Sequence, residues 1–397
     1  MQPLIPERLD AELIDEESHF FKRLGEVRLS EDSALQAEAP LCTSASIRGT
    51  VLACTSTGVR SIQTAKLIAV LQKGKDGGSI TATDMDSLAG ASLISRHLSA
   101  VCVDDAQLFV ALVYGSAVRV FGLHDLLTGK DEHCATWVAP GDQLIEQFIW
   151  GPSSAAEATG YVLTDAGHLL VGTLTSELQP WQPTDTGSGK ACVAISPAGR
   201  LLALARGQQL TIHALERSDT VCIQIQSQEL QSREEGTELH VTSLHWLAPS
   251  AVLITCAMSL DGAEQDQVPM MALQWSSWTP GQGSMQGLKL VEFFPLNVNP
   301  EAPFPCGSSS CLHVASIPAW GVHVVAHAKA NDDHIRLIGL SPKGGAVHSL
   351  EVTGEFTAIR IPTGPDDADN FITGLALDLT STQPRTICSF PGSSRSR

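Results

Sequence analysis

The stretch KACVAISPAGRLLALARGQQLTIHAL, residues 190–215, decides the fold class. Two apolar runs lie on either side of the turn sequence SPAGR, and a third follows RGQQ. Gly and Pro supply the backbone angles that hairpin turns need, and the runs between them are rich in Val, Ile, Leu and Ala. The pattern predicts three short antiparallel strands joined by tight turns.

The same order of strand, turn, strand, turn and strand recurs along the whole chain. Besides residues 190–215, the repeats cover residues 45–64, 101–123, 147–174, 241–275 and 310–340, and residues 373–381 begin a seventh. A sheet of three or four short strands cannot bury both of its faces alone, so repeated sheets pack face to face around an axis. We therefore predict an all-β fold, a seven-bladed β-propeller. The Gly-His and Trp-Asp signatures of the commonest propeller repeats do not recur from unit to unit, so this prediction rests on periodicity.

The repeats also suggest a domain organisation. Residues 1–19 are predicted to be an N-terminal extension, residues 20–390 the propeller and residues 391–397 a short tail. Within the propeller, FFKRLGEVRLS (20–30) is one extended run that could add to the last blade and close the ring; the alternative is a frayed terminal strand. The seventh unit stops after one strand and the fragment RTICSF (385–390). Either the chain is truncated, or the last blade is incomplete and the ring partly open.

Composition excludes several classes of function. With 25 Lys and Arg against 43 Asp and Glu, the formal charge of −18 repels phosphate backbones and anionic lipid, so we expect no direct binding of nucleic acid or membrane. The N-terminus lacks the order of a signal peptide, and the longest apolar run, AVLITCAM (251–258), is too short to span a bilayer. The ten cysteines form no CxxC pair and are expected to be buried hydrophobes. We expect a soluble protein of the cytoplasm or nucleus.

Motifs for catalysis or for binding a cofactor or metal are missing from the sequence. It contains no G-x-S-x-G, H-E-x-x-H or G-x-x-x-x-G-K-[ST], so we predict a protein that is not an enzyme and has no cofactor. His323 and His327 in VHVVAHA come nearest to a metal pair. On a strand their side chains would be about 13 Å apart, whereas zinc ligands lie at about 2 Å. We therefore predict two core or rim histidines and no metal site.

Loops between the strands are the expected sites of recognition. Three insertions, residues 69–92, 226–240 and 276–310, are polar or rich in Gly and Pro and are predicted to be surface loops. The stretches KANDDHIR (329–336) and IPTGPDDADNFITG (361–374) place acidic turns around the last two units. The predicted partner-binding residues are Asp332, Asp333, Asp366, Asp367 and Asp369, with Arg360 as a neighbour. The alternative is that these aspartates are ordinary solvated turn residues.

The order of these segments resembles the N-terminal β-propeller of the CAN-type FG nucleoporin of the cytoplasmic face of the nuclear pore. That family has a Ser-Pro-x-Gly turn before a strand, a later tryptophan, a further Trp-led strand and an acidic loop before the last blade. The fitting residues here are Ser196, Pro197 and Gly199, then Trp246, then residues 320–328, and finally Asp366 and Asp367. The resemblance covers roughly residues 20–380 and is strongest after Lys190.

The resemblance implies a platform that docks the DEAD-box RNA helicase of mRNA export and works among other nucleoporins, as a monomer within a larger complex. In the family, the helicase's basic RNA-facing surface meets an acidic side of the propeller, so helicase binding and RNA binding compete. Two departures are the single Phe-Gly, Phe121-Gly122, and the lack of a coiled-coil and Phe-Gly-repeat tail. The alternative with the same architecture is a generic WD40-like scaffold subunit of a trafficking or ubiquitin-ligase complex.

Overall fold

The computed structural model describes residues 4, 6–8, 11–14, 43–46, 49–55, 58–73, 86–87, 98–130, 132–154, 156–181, 190–215, 220–226, 237–260, 263–278, 285–299, 312–317, 320–330, 335–340, 347–352, 375 and 377. They form 31 strands and two helices.

The first half of the chain supplies the strands of three sheets, and two short strands precede them. The elements are β1 (Glu7–Arg8), β2 (Ala11–Ile14), β3 (Thr43–Ser46), β4 (Thr50–Thr55), β5 (Gly58–Gln63), α1 (Thr64–Lys73), β6 (Asp86–Ser87), β7 (Leu98–Val103), β8 (Phe109–Tyr114), β9 (Ala117–Gly122), α2 (Leu123–Leu127), β10 (His133–Val138), β11 (Ile145–Ser153), β12 (Ala158–Thr164), β13 (Leu169–Thr173) and β14 (Gln179–Pro180).

The second half supplies three more sheets and two small two-stranded sheets. The elements are β15 (Ala191–Ile195), β16 (Leu201–Arg206), β17 (Gln209–Ala214), β18 (Thr220–Gln224), β19 (Thr237–Ala248), β20 (Ala251–Leu260), β21 (Ala263–Glu264), β22 (Gln267–Val268), β23 (Met270–Gln274), β24 (Ser277–Trp278), β25 (Met285–Gln286), β26 (Lys289–Glu292), β27 (Leu296–Asn297), β28 (Leu312–Ile317), β29 (Val322–His327), β30 (Arg336–Leu340) and β31 (Val347–Val352).

Six antiparallel four-strand meanders make up the described part of the ring. Blade 1 is β3 to β6, blade 2 is β7 to β10, blade 3 is β11 to β14 and blade 4 is β15 to β18. Blade 5 has the order β19-β20-β23-β26, and blade 6 the order β28-β29-β30-β31. The first strands of successive blades contact one another, which makes them the innermost strands. The all-β class and the propeller architecture are therefore confirmed.

The sheets of blades 2 to 5 bury both of their faces between their neighbours. In β8, Val110 and Leu112 pack in the core between blades 1 and 2, whereas Phe109 and Ala111 pack between blades 2 and 3. This two-residue alternation follows from the pleat of a strand. Equivalent cores fill the spaces between blades 3 and 4, 4 and 5, and 5 and 6.

On its far side, blade 6 packs against residues that follow it in the chain. Leu375 and Leu377 contact the core formed by Ala315, Val324 and Leu337. A further layer thus begins where a next blade would stand. The count of seven blades and the state of the last blade stay predictions, because most residues after 352 lie outside the described residues.

A recurring turn joins the first and second strands of blades 2 and 4. In SPAGR, the Ser196 hydroxyl accepts hydrogen bonds from the Arg200 N–H at 3.2 Å and the Leu201 N–H at 3.0 Å, and Gly199 has a φ of 65°. In blade 2, Asp104 takes the serine's place and accepts the N–H groups of residues 108 and 109 at 2.8 and 2.7 Å. The turn residues quoted for the family resemblance therefore have a local structural role.

The N-terminal residues run along the outer edges of three consecutive blades. Leu4 forms a parallel bridge with Ile225 after β18, β1 lies parallel to β26, and β2 lies parallel to β31. We call Leu4, β1 and β2 the N-terminal strap; it supplies a fifth strand to blades 5 and 6. The strap falls in the predicted extension 1–19. The predicted closing strand, residues 20–30, lies outside the described residues, and the domain boundaries stay a prediction.

The prediction that three insertions are simple surface loops is wrong in part. Helix α1 and strand β6 extend into residues 69–92, and β19 begins inside residues 226–240 with Leu239 buried. Residues 276–310 contain β24 to β27. Within that stretch Leu290 and Phe293 are 1% exposed, because β26 is the fourth strand of blade 5 and packs between its neighbours.

Candidate partner-binding surface

The six residues predicted to bind a partner lie outside the described residues. They are Asp332, Asp333, Arg360, Asp366, Asp367 and Asp369. The structure does describe the strand that precedes each of their two segments. These strands show at which end of the propeller each segment begins.

Both segments leave blade 6 from the same end. Strand β30 is antiparallel to β29 and to β31, so β29 and β31 run in the same direction and finish at the same edge. Residues 331–334 lie between β29 and β30, and residues 353–374 follow β31. We call this end the inter-blade face; its described members include residues 139–144, 165–167, 293–299 and 329–330. The described strands that precede the two predicted acidic segments, β29 and β31, therefore end at the same end of blade 6.

A rigid frame of hydrogen bonds stands beside these segments. The guanidinium of Arg336 donates to the carbonyl oxygens of Phe294 and Pro295, the latter at 2.8 Å. Val298 forms a bridge with Ala330, and the Asn299 N–H donates to the Lys329 carbonyl at 2.9 Å. These bonds join blade 5 to blade 6 across the inter-blade face, a suitable base for recognition loops.

The described charges on this part of the face are mixed. Lys329 and Arg336 flank the segment that holds Asp332 and Asp333, and Asp266 is exposed nearby, where its carbonyl accepts the Val298 N–H at 2.8 Å. The side chain of Phe294 is 44% exposed. The described frame thus offers one exposed aromatic group, Phe294, and two cations that lie within four residues of Asp332 and Asp333 in the sequence.

A second group of charges on the inter-blade face was not predicted from the sequence. Burial raises the pKa of Glu146, and Asp165 raises it further, while Lys190 lowers it. Asp165 also accepts the Leu144 N–H at 3.1 Å, and Leu144 is 50% exposed. Glu146 and Asp165 belong to blade 3, and Lys190 directly precedes blade 4. Because they are far apart in the sequence, no local sequence pattern predicts that these charges interact.

The histidines predicted to be structural are buried. His323 is 1% exposed and His327 is 4% exposed, and both lie on β29. His323 Nδ1 is 2.8 Å from the Ser316 hydroxyl, which is also 3.3 Å from His245 Nε2. Burial lowers the pKa of each of the three histidines to about 4; His323 adds to the shift of His245, and His313 and Lys329 add to that of His327, so all three are neutral at pH 7.

Among the described residues, no group of three or more His, Cys, Asp or Glu side chains is arranged to hold a metal ion. None of the described helices has the length and apolar character needed to cross a membrane; the longer one, α1, has ten residues.

Comparison with known proteins gives similarity of fold. No protein-family model matches the sequence, and no curated protein matches it. The crystal structure of the N-terminal domain of Nup159 matches with a TM-score of 0.61 and 11% identity, covering 95% of this chain and 94% of that one. A chain in the S. cerevisiae structure of a Dbp5 variant bound to Nup159, a Gle1 variant, IP6 and ADP matches with a TM-score of 0.59 and 12% identity, covering 96% of this chain and 94% of that one. The chain thus shares the β-propeller fold of these structures over almost its whole length.

Proposed function

We propose that this chain is a non-enzymatic nucleoporin propeller that docks a DEAD-box RNA helicase at the cytoplasmic face of the nuclear pore, in mRNA export. The observation that carries the proposal is the match in fold, over 95% of the chain, to the N-terminal domain of Nup159. The second match is to a chain of a structure in which Dbp5 is bound to Nup159. The order of segments in the sequence, which resembles the same nucleoporin family, supports the proposal independently.

The proposed docking surface is the inter-blade face at blade 6. Five aspartates belong to two segments that leave this blade at one end, and the whole chain carries a charge of −18. Such a charge attracts a basic surface over a distance of about one Debye length and raises the rate of association above the roughly 10⁵–10⁶ M⁻¹s⁻¹ of neutral docking. An acidic platform repels RNA and so would compete with RNA for the helicase's basic surface.

The alternative, a generic scaffold subunit of a trafficking or ubiquitin-ligase complex, is not favoured by the structural matches. A propeller fold by itself hosts many functions, so a direct test of the partner is needed. Capture from an extract of the cells that express the chain, read by mass spectrometry, should recover a DEAD-box helicase and other nucleoporins. A capture that contains ubiquitin-ligase or vesicle-coat subunits and no helicase would overturn the proposal.

The surface can be tested with variants of matched charge. Asp332, Asp333, Asp366, Asp367 and Asp369 would be changed to Asn, together and in their two sequence groups. The control changes Glu157 and Glu177 to Gln, since these are exposed residues at the opposite end of blade 3. It removes the same charge as the group formed by Asp332 and Asp333.

The five-Asn variant should lower the association rate for the captured helicase by about tenfold at low salt, with little effect on dissociation. Moderate salt should reduce the difference between it and the wild type, and single-stranded RNA should compete less effectively with the wild type than with the variant. Equal association rates for the five-Asn variant and the wild type would show that these aspartates are solvated turn residues. An equal loss in the control and in the variant of matched charge would show that total charge, not this surface, steers the helicase.

A further inference from the structure

Strand β10 is the outer strand of blade 2, and no other described strand pairs with its outer edge. Its six residues, His133–Val138, pair with β9 alone. The outer strands of blades 5 and 6 are different, because β1 and β2 of the N-terminal strap cover them. The outer strands of blades 1 and 3, β6 and β14, are only two residues long, and β14 contains Pro180. The outer strand of blade 4, β18, has five residues, and Leu4 of the strap meets its end, where the Leu4 N–H donates to the Gln224 carbonyl at 3.5 Å. Among the described outer strands, the six-residue β10 is thus the longest that no strap residue meets.

The hydrogen-bonding groups on this edge can be identified from the register. Val138 lies opposite Ala117, and the Ala139 N–H donates to the Ser116 carbonyl at 2.8 Å. In an antiparallel ladder, hydrogen-bonded and non-hydrogen-bonded pairs alternate. Residues 139 and 137 therefore face β9, whereas the N–H and C=O groups of Thr136 and Val138 point away from the sheet.

Nothing in the sequence of β10 blocks this edge. Natural sheets protect open edges with lysine, proline, bulges or covering segments. The sequence HCATWV contains no lysine, arginine or proline. Its one register shift relative to β9 lies at the start of the strand, between His133 and Ala135. The Thr136 side chain is exposed, and Val138 is 57% exposed. The edge offers backbone groups together with an apolar side chain.

The charges at the ends of the strand indicate the chemistry of its occupant. Glu132, directly before β10, and Asp142, four residues after it, are exposed carboxylates. The nearest described cation in the sequence, Lys130, pairs with Asp125 at 2.8 Å. With a chain charge of −18, a second copy of this acidic protein is a poorer match to this edge than a basic segment.

We propose that the outer edge of β10 is a docking site for an extended, basic segment of a partner protein, which adds as a fifth strand to blade 2. The strap supplies the precedent, since β1 and β2 add to blades 5 and 6 in this way. Main-chain hydrogen bonds to Thr136 and Val138 would give affinity, an apolar side chain would cover Val138, and cations would meet the carboxylates at either end. A strand of six residues spans roughly 20 Å, so about six residues of the partner would cover β10. This site is separate from the proposed helicase surface at blade 6.

The test uses a synthetic peptide of alternating valine and threonine with lysine at both ends, added to the whole chain. Hydrogen exchange at single-residue resolution should show that the peptide slows the Thr136 and Val138 amides at least about tenfold. The Trp137 amide, which already faces β9, should change little. A peptide with glutamate at both ends should give no protection.

The variant Thr136→Pro removes one outward N–H without removing a bond to β9, a position at which sheets tolerate proline. It should weaken peptide binding at least about tenfold and leave the circular dichroism spectrum unchanged, whereas the control Thr136→Val should bind as the wild type does. Unprotected Thr136 and Val138 amides at saturating peptide, or equal binding by Thr136→Pro, would overturn the proposal. A concentration-dependent dimer in sedimentation that Thr136→Pro abolishes would instead assign the edge to a second copy.

Discussion

Replacing Gly160 by alanine should destabilise the interface between blades 2 and 3. A Cβ on Gly160 would overlap Cζ3 of Trp137 and lie 2.8 Å from Cε2 of Phe148. Trp137 is 1% exposed and cannot turn away without cost, because its Nε1 donates to the carbonyl oxygens of Thr173 at 3.0 Å and Ser176 at 3.2 Å. The aromatic ring therefore requires a residue without a side chain at position 160.

The size of the effect follows from two opposing contributions. Overpacking a dense core costs about 1–3 kcal/mol. Replacing glycine in a strand restricts the unfolded chain and returns about 0.5–1 kcal/mol. Gly160→Ala should therefore reduce the free energy of unfolding by about 1–2 kcal/mol. Gly172→Ala should cost less, because its Cβ would approach Cε2 and Nε1 of Trp137 only to 3.0 Å.

A double-mutant cycle separates the clash from every other effect of the substitution. Trp137→Leu removes the indole and should itself cost about 3 kcal/mol or more. In that background, Gly160→Ala has no ring to displace and should be neutral or stabilising by up to about 1 kcal/mol. The coupling energy between the two sites should be about 2 kcal/mol.

The assay is urea unfolding followed by far-ultraviolet circular dichroism, with the m-value compared across the four proteins. A constant m-value is required for the midpoints to report stability. If Gly160→Ala lowers the free energy of unfolding equally with and without Trp137, contact with the indole ring is not the reason that position 160 needs glycine, and the prediction is wrong.

Three further predictions concern other parts of the structure. Lowering the pH from about 7 to about 4.5 should lower the urea midpoint, because the unfolded histidines bind protons near pH 6.5 while His245 and His323 have a pKa of about 4 in the fold; a His323→Gln variant should show a shallower fall. Deleting residues 1–14 should speed hydrogen exchange in β26 and β31 specifically, with β16 unchanged, whereas Glu7→Gln should alter the free energy of unfolding by less than about 0.5 kcal/mol, because its ion pair is exposed. Gly199→Ala should lower the free energy of unfolding by about 1 kcal/mol or more, since φ is 65° and a Cβ would meet Pro152.

The inner three strands of each blade could be predicted from the sequence because both of their faces are buried. In β16, Leu202 and Leu204 face blade 3 while Ala203 and Ala205 face blade 5, so the strand is almost uniformly apolar between two turns. The outer strands carry no such pattern. Strand β14 is the pair Gln179–Pro180, and β10 is exposed at four of its six residues. Outer strands are defined by the partner they pair with rather than by their own composition.

The strap could not be predicted for a different reason. Glu7 pairs with Val291, about 280 residues further along the chain, and the pairing is parallel. Local periodicity contains no information about such a partner, and turn sequences fix register only in hairpins. The candidate site was predicted from charge and turn chemistry alone, and its aspartates stay a prediction because they lie outside the described residues.

The two proposed surfaces should respond differently to salt because different forces hold their ligands. At the inter-blade face, attraction between an acidic surface and a basic helicase depends on long-range charge and weakens as the Debye length falls from about 10 Å at 0.1 M salt to about 3 Å at 1 M. At the β10 edge, main-chain hydrogen bonds and the covering of Val138 persist at high salt, and only the contribution of the terminal cations is screened. Blades 5 and 6 also carry the strap on their outer edges, so the proposed helicase surface lies beside covered edges, whereas no described strand covers the outer edge of blade 2. A partner captured at low salt and released near 1 M salt therefore belongs to the inter-blade face, and one retained at high salt but lost with Thr136→Pro belongs to blade 2.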